Sequence, residues 1–354
     1  MIKKSWTRVA VFCSVAVSLS CGGGEKPQAA AANADVTKLQ GAGASFPAPL
    51  YSKWFKTYSA AHAGVQIDYQ SVGSGSGIKA VIDKTVDFGA SDAAMNADEI
   101  GQVSGGVQLL PMTAGSIVLT YNLEGVPALK LSRKAYVDIF LGKAKNWNDP
   151  AIAAANKDVK LPDEPINVVE RADSSGTTFV FTKHLSAISP EFAKSPGTNK
   201  MPDWPVGTRA KGNEGVTASV KTTPGSIGYI EYGYAKSQNL PMALIENKAG
   251  EFVAASTASG QAALASAVLP EDLVVWASDP DGKDAYPIVT YTWLILYKHY
   301  PDAKKLETLK GLLKYCSTDG QKEAEALGYI PLPATVAEKV STAVDGVTAA
   351  SAGS

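Results

Sequence analysis

Arg171-Ala172-Asp173-Ser174-Ser175-Gly176-Thr177 brings a guanidinium, a carboxylate and several hydroxyls into one short stretch, where an apolar run ends and a helical run begins. Arg offers a planar fork for paired hydrogen bonds to an oxyanion, and Asp173, two residues on, could fix the orientation of that fork. Ser175, Gly176 and Thr177 would add hydroxyls and backbone N–H groups at a helix start, a place that attracts anions. The chemistry on offer is the capture of an oxyanion. A surface Arg–Asp pair beside an ordinary helix cap is the competing reading.

Three further segments have a similar character. Gly41-Ala-Gly-Ala-Ser45-Phe46-Pro47-Ala-Pro leads from a strand into a helix starting near Pro47, and places Ser45 and free N–H groups at its entrance; an ordinary capped turn would look the same. Ser71-Val-Gly-Ser74-Gly-Ser76-Gly-Ile-Lys79 alternates hydroxyls and glycines between a strand and a helical run. It lacks the Gly-Lys-Ser/Thr ending of a Walker loop and the spacing of a nucleophile elbow. Its amides and Ser74 could cradle an oxyanion, the alternative being a flexible linker. In Val86-Asp-Phe-Gly-Ala-Ser-Asp92 a carboxylate stands at the tip of an apolar strand. Strand tips of α/β sheets are ligand positions, although Asp92 could equally cap the helix that follows Asn96.

The elements that must carry these residues alternate. Val65–Tyr69, Val86–Ala90, Ile166–Val169 and Ile227–Ile230 read as strands. Between and after them, helical stripes run through Leu50, Trp54, Tyr58 and Ala61, through Tyr136, Ile139 and Phe140, and through Leu306, Leu309, Leu312 and Leu313. The class is α/β. Two stretches, Val107–Asn122 and Tyr286–Tyr297, are longer than ordinary strands and far apart in sequence. A chain that leaves one lobe near residue 112 and returns near 288 makes two lobes with a cleft at the double crossover, where ligands bind.

Length and composition narrow the function. The 354 residues suit roughly two domains, and 33 Lys plus Arg against 34 Asp plus Glu leave no basic footprint for nucleic acid. Lys3, Lys4 and Arg8 precede the apolar run Val9–Leu19, which reads as a secretory signal too short to span a bilayer. The run ends at Ser20-Cys21, and a Gly-rich, then Ala-rich tether follows to residue 37. This looks like a bacterial lipoprotein signal, with Cys21 as the lipidated residue, although Ser18 stands where such signals usually carry an aliphatic side chain. Cleavage at Ala32-Asn33-Ala34 is the alternative. Removing residues 1–20 takes away three positive charges and leaves 30 against 34, a mildly acidic chain. Of the three cysteines, only Cys316 lies outside the signal and anchor, and it reads as a buried helical thiol.

Together, the Gly41–Pro49, Val86–Asp92 and Arg171–Thr177 segments, with Pro224-Gly-Ser-Ile-Gly-Tyr-Ile-Glu-Tyr232, resemble the signature segments of the phosphate-binding proteins (PstS family) of bacterial phosphate ABC importers. The likeness runs from about Leu39 to Pro331-Leu-Pro. It implies a two-lobed periplasmic-binding-protein fold of type II, with residues 38–112 and 288–350 in lobe I, 113–287 in lobe II, and two crossover strands between them. It also implies one dehydrated phosphate held by hydrogen bonds from Ser45, Phe46 (through its N–H), Ser74 and Asp92 of the first lobe and Arg171, Ser175, Gly176 and Thr177 of the second, with Asp173 in support. Ser45 replaces a frequent Thr, and Ser76 could substitute for Ser74. The implied partners are inorganic phosphate and the permease and ATPase subunits of the importer. The resemblance implies an exported protein, in the periplasm or at the cell surface, monomeric and with no cofactor, metal or nucleic acid.

Within that set Asp92 acquires a role. Hydrogen phosphate carries a proton that it can donate to a carboxylate, whereas sulfate has none, so Asp92 is expected to select phosphate over sulfate. The rival from another class is a secreted phosphatase-like hydrolase using Ser45 or Ser175. It would need a base, yet His62, His184 and His299 are the only histidines and none sits in an elbow beside a Ser. A surface lipoprotein that sequesters phosphate without serving a transporter is the third reading.

Overall fold

The structure, a computed structural model, describes residues 36–350; the signal, Cys21 and nearly all of the tether lie outside the described residues. The first strand begins at Thr37, one residue inside the stretch assigned to the tether. The strands of the main sheet are β1 (Thr37–Gly43), β2 (Val65–Ser71), β3 (Phe88–Ser91), β4 (Val107–Asn122), β5 (Asn167–Arg171), β6 (Thr208–Ala210), β7 (Ser226–Glu231) and β8 (Val289–Tyr297). They lie in the spatial order β2-β1-β3-β8-β4-β7-β5-β6. The helices that matter for the site are α1 (Ala48–Ala61), α2 (Ser74–Ile82), α3 (Arg133–Phe140), α4 (Gly176–Ile188), α5 (Gly212–Thr222) and α6 (Ala303–Ser317).

The sheet has a parallel set at each end and two long antiparallel strands in the middle. β1 pairs in parallel with β2 and β3, and β5 does so with β6 and β7. The parallel strands are followed by helices, so their C-terminal ends face helix N-termini, the arrangement in which α/β sheets bind ligands. β4, 16 residues long, pairs with β8 over Val107–Ser116 and with β7 over Ile117–Asn122. It therefore belongs to both sets. β8 is shorter than the Tyr286–Tyr297 run, beginning at Val289, and its pairing with β4 shifts register between Thr292 and Trp293, which face Thr113 and Pro111.

Aromatic packing holds the ligand-facing ends in place. Beneath the first set, Tyr51, Trp54 and Phe55 on α1 pack with Tyr69 on β2 and Phe88 on β3, and the Trp54 indole donates to the Gly320 carbonyl at 2.7 Å. Ala61 of the expected stripe is exposed, because the buried face turns through Tyr51 and Phe55 instead. Beneath the second, Phe140 of α3, Phe181 of α4, Trp204 and Tyr229 of β7 form one cluster, with Phe181 stacked on Tyr229 at 4.5 Å between centroids. Each such ring removes on the order of 150–250 Å² from water, enough to anchor the helix it belongs to. Leu306, Leu309, Leu312 and Leu313 of α6 are buried, as is the free thiol of Cys316. His184 is a packed histidine, its ring nitrogen 2.9 Å from the Tyr136 hydroxyl.

Candidate functional site

Arg171 is the last residue of β5 and its side chain is almost wholly buried. Its Nε and Nη2 donate to the two oxygens of Asp173 at 2.9 and 2.6 Å, while Nη1 is buried and has no partner. A fork spent on two bonds with a third nitrogen dry and free is an arm aligned by one carboxylate and available to another anion. Asp173 also accepts from the Gly212 N–H at 2.9 Å. Burial works against ionisation of Asp173, but the hydrogen bonds and charge of Arg171 and the Gly212 amide outweigh it and hold the carboxyl below its ordinary value. The pair is buried, so the surface-pair reading does not hold.

Helix α4 starts immediately afterwards. Ser175 is its N-cap, accepting from the Thr178 N–H at 3.0 Å, and Gly176 and Thr177 occupy its first turn, where N–H groups have no intrahelical acceptor. A Cβ built on Gly176 would lie 2.4 Å from Ser74 Oγ and 2.7 Å from the Asp92 carboxylate, so Gly176 is where the loop after β5 meets the first half of the sheet. Gly176→Ala is expected to push the two segments apart and to cost about 1–3 kcal/mol, measurable as a lowered denaturant midpoint. An unchanged midpoint would mean that the contact yields freely.

The first half brings three side chains to the same place. Ser45 lies between β1 and α1, is buried, and accepts from the backbone N–H and Nδ2 of Asn213 at 3.0 and 2.8 Å. The N-cap of α1 is Pro47, without a side-chain cap bond, so Ser45 is free of capping duty. Phe46 buries its ring against Gly115 and Tyr329, and its carbonyl accepts from the Tyr329 hydroxyl at 2.7 Å. Ser74 opens α2 after Gly73, whose φ of +94° favours glycine and whose own Cβ would strike Asp173 at 2.4 Å. Ser74 is buried and accepts from the Asp92 N–H at 3.1 Å, whereas Ser76 is exposed. Across the same junction the Gly75 N–H donates to the Ser174 carbonyl at 2.9 Å.

Asp92 follows β3 and is buried, its Oδ1 accepting from Thr292 of β8 at 2.8 Å. The following helix is capped by Asn96, in a capping box with Glu99, which removes the capping reading for Asp92. Burial pushes the Asp92 carboxyl up to about 7, opposed by the Thr292 hydrogen bond and the Arg171 charge, with Asp173 raising it and Thr177 lowering it. The sequence-derived residues Ser45, Phe46, Ser74, Asp92, Arg171, Asp173, Ser175, Gly176 and Thr177 thus all stand at the facing ends of the two strand sets.

A family model described as a PBP superfamily domain matches residues 28–319. The phosphate-binding protein PstS of Pasteurella multocida is 42% identical over 85% of this chain and 88% of its own length, and that of Methanocaldococcus jannaschii is 37% identical over 95% and 94%. The chain belongs to the PstS family. In three dimensions it is similar to a phosphate-binding protein from Stenotrophomonas maltophilia, with a TM-score of 0.68 at 24% identity over 87% of this chain and 94% of the other, a likeness that shows the fold.

Three residues of this PstS-family chain joined the cluster without a sequence signal strong enough to single them out. Asn213 bridges Ser45 and Thr177, Thr292 bonds Asp92, and Glu231 is wholly buried with one oxygen on the Gly233 N–H and the other unpartnered. Burial holds the Glu231 carboxyl well above its ordinary value. The Gly212-Asn213 pair at a helix start repeats the glycine-then-polar pattern of the other loops and could have been noticed. Thr292 is hidden inside a β-branched strand pattern.

The raised Asp92 carboxyl makes the free protein pH-sensitive. Between the unfolded value of 3.8 and about 7 the folded chain holds a proton that the unfolded chain releases, so stability falls as pH rises through that window. The loss from Asp92 is absent below about pH 4, complete above about pH 7, and amounts to at most about 4 kcal/mol. Comparing denaturant midpoints of the parent and Asp92→Asn from pH 4 to 8 isolates it, since Glu231 is common to both. Parallel profiles would contradict the shift.

Proposed function

We propose that this chain is an extracytoplasmic solute-binding protein that clamps one inorganic phosphate between two lobes, residues 38–112 with 288–350 and residues 113–287, and delivers it to an ABC permease and its ATPase. The observation that carries this reading is the dry, unpartnered Nη1 of Arg171 in a cluster of hydroxyls and helix-start amides that also holds Asp92. A dianion buried there receives one guanidinium and several neutral dipoles, each amide end worth roughly 0.3–1 kcal/mol when exposed and more when dry. That its PstS relatives are phosphate-binding proteins supports phosphate as the ligand.

In this reading the ligands are Ser45, the Phe46 N–H, Ser74, Asp92, Arg171, Ser175, Gly176 and Thr177, with Asp173 aligning the guanidinium. The burial of Ser74 and the exposure of Ser76 favour Ser74. Donors divided between two halves can all reach the anion only when the halves are together, so phosphate shifts the population toward the closed form. In this reading the protein binds phosphate without hydrolysing its esters; in support, His184 is bonded to Tyr136, His299 to Thr348 and His62 to the Tyr58 carbonyl, away from Ser45 and Ser175. It is exported as a monomer and tethered to a membrane through lipid on Cys21.

Isothermal titration of the mature chain with phosphate, arsenate and sulfate tests the reading, alongside a chromogenic phosphate ester. Tight one-to-one phosphate binding, weak sulfate binding and no ester turnover are expected. Absent phosphate binding, or ester turnover that Ser45→Ala or Ser175→Ala abolishes, would overturn it.

A further inference from the structure

Asn213, the second residue of α5, is wholly buried and uses every polar atom of its side chain. The Glu231 N–H, which can only donate, meets Asn213 Oδ1 at 2.9 Å. That contact fixes the amide, so Nδ2 is the atom that faces Ser45 Oγ at 2.8 Å and Thr177 Oγ1 at 3.2 Å. The backbone N–H of Asn213 reaches Ser45 Oγ as well, at 3.0 Å. Ser45 Oγ therefore receives two N–H donors and has both lone pairs occupied. A hydroxyl in that state has one remaining function, to give its own proton.

We propose that Asn213 is a positioning residue that makes the Ser45 hydroxyl an obligatory donor to the bound anion and ties it to Thr177 of the opposite half. The proposal rests on the reading of this cluster as a phosphate site. A serine left to itself can turn either its proton or its lone pairs toward a guest, and in a dry site the wrong orientation sets oxygen lone pairs against oxygen lone pairs. Two fixed N–H donors remove that choice before the anion arrives, so no reorientation accompanies binding. Thr177 Oγ1 is also an acceptor of Nδ2, which leaves its own proton free to be donated. One amide thus sets hydroxyls on both sides of the site.

The test is a double-mutant cycle on the mature chain, read by phosphate titration. Asn213→Asp keeps the shape and the acceptor for the Glu231 N–H but replaces Nδ2 with an oxygen, so the hydroxyls turn toward position 213 and away from the anion. A loss of roughly 100-fold in phosphate affinity is expected, shrinking to severalfold in the Ser45→Ala background. The ³¹P resonance of saturating bound phosphate is expected to shift in Asn213→Asp, which a role in folding alone would not cause. Should that variant fail to fold, Asn213→Ser, which keeps the backbone donor and removes Nδ2, goes through the same cycle with a loss of about tenfold expected. Affinity within about threefold of the parent, or a loss undiminished without the Ser45 hydroxyl, would overturn the proposal while leaving the phosphate reading intact. A parent chain that does not bind phosphate would overturn the phosphate reading, and this inference with it.

Discussion

Arg171→Ala is expected to weaken phosphate binding by roughly 100- to 1,000-fold or more, while Lys79→Ala leaves it within about twofold. Both substitutions remove one positive charge, so a long-range electrostatic role would make them similar. Their surroundings differ. The Arg171 side chain is dry, aligned by Asp173, and has a nitrogen to spare; Lys79 is on the exposed face of α2, paired with Asp83 one turn on, and screened by water and salt. Removing the guanidinium also leaves Asp173 buried with only the Gly212 amide, so the variant is expected to lose stability together with affinity. Calorimetric titration of both variants decides the matter, and equal losses would relocate the site.

Asp92→Asn is expected to admit sulfate. In the parent, sulfate can satisfy Asp92 only if the carboxyl brings its own proton, which at a value near 7 becomes costly as the solution turns alkaline. Sulfate affinity should therefore fall about tenfold per pH unit above pH 7, whereas hydrogen phosphate arrives with the shared proton and should bind evenly over the same range. An asparagine donates an N–H at any pH. The variant is expected to bind sulfate without that slope, at pH 8.5 by roughly 30-fold more tightly than the parent, with phosphate affinity reduced. Continued exclusion of sulfate at undiminished phosphate affinity would show that discrimination lies elsewhere.

Much of this site could be read from the chain because its residues come in contiguous strand-to-helix segments. Arg171 to Thr177 is a strand end, a short loop and a helix start in one stretch of seven residues, and its chemistry needs only local geometry to be suspected. Ser45, Ser74 and Asp92 were legible for the same reason, each at the end of an apolar run. Asn213 and Thr292 were not, because their meaning lies in partners 168 and 200 positions away. Local pattern also left Asp92 balanced between capping and binding until the Asn96–Glu99 box took the capping role. The fold class followed from alternation of strands and helices, and the length of Val107–Asn122 marked it as a crossover, but length alone does not show which neighbours divide it or that the change falls between Ser116 and Ile117. Ala61 failed for a simpler reason: it fits the helical period, but the buried face of α1 runs through Tyr51, Phe55 and Tyr58 and leaves the final residue of the helix exposed.

The division of β4 between β8 and β7 has a mechanical corollary. Because one uninterrupted ribbon supplies hydrogen bonds to both halves, with the changeover between Ser116 and Ile117, neither half can melt without stripping partners from the other. The two strand sets are coupled through this shared spine, so a bend of one against the other would twist the few peptides around Ser116 and Ile117.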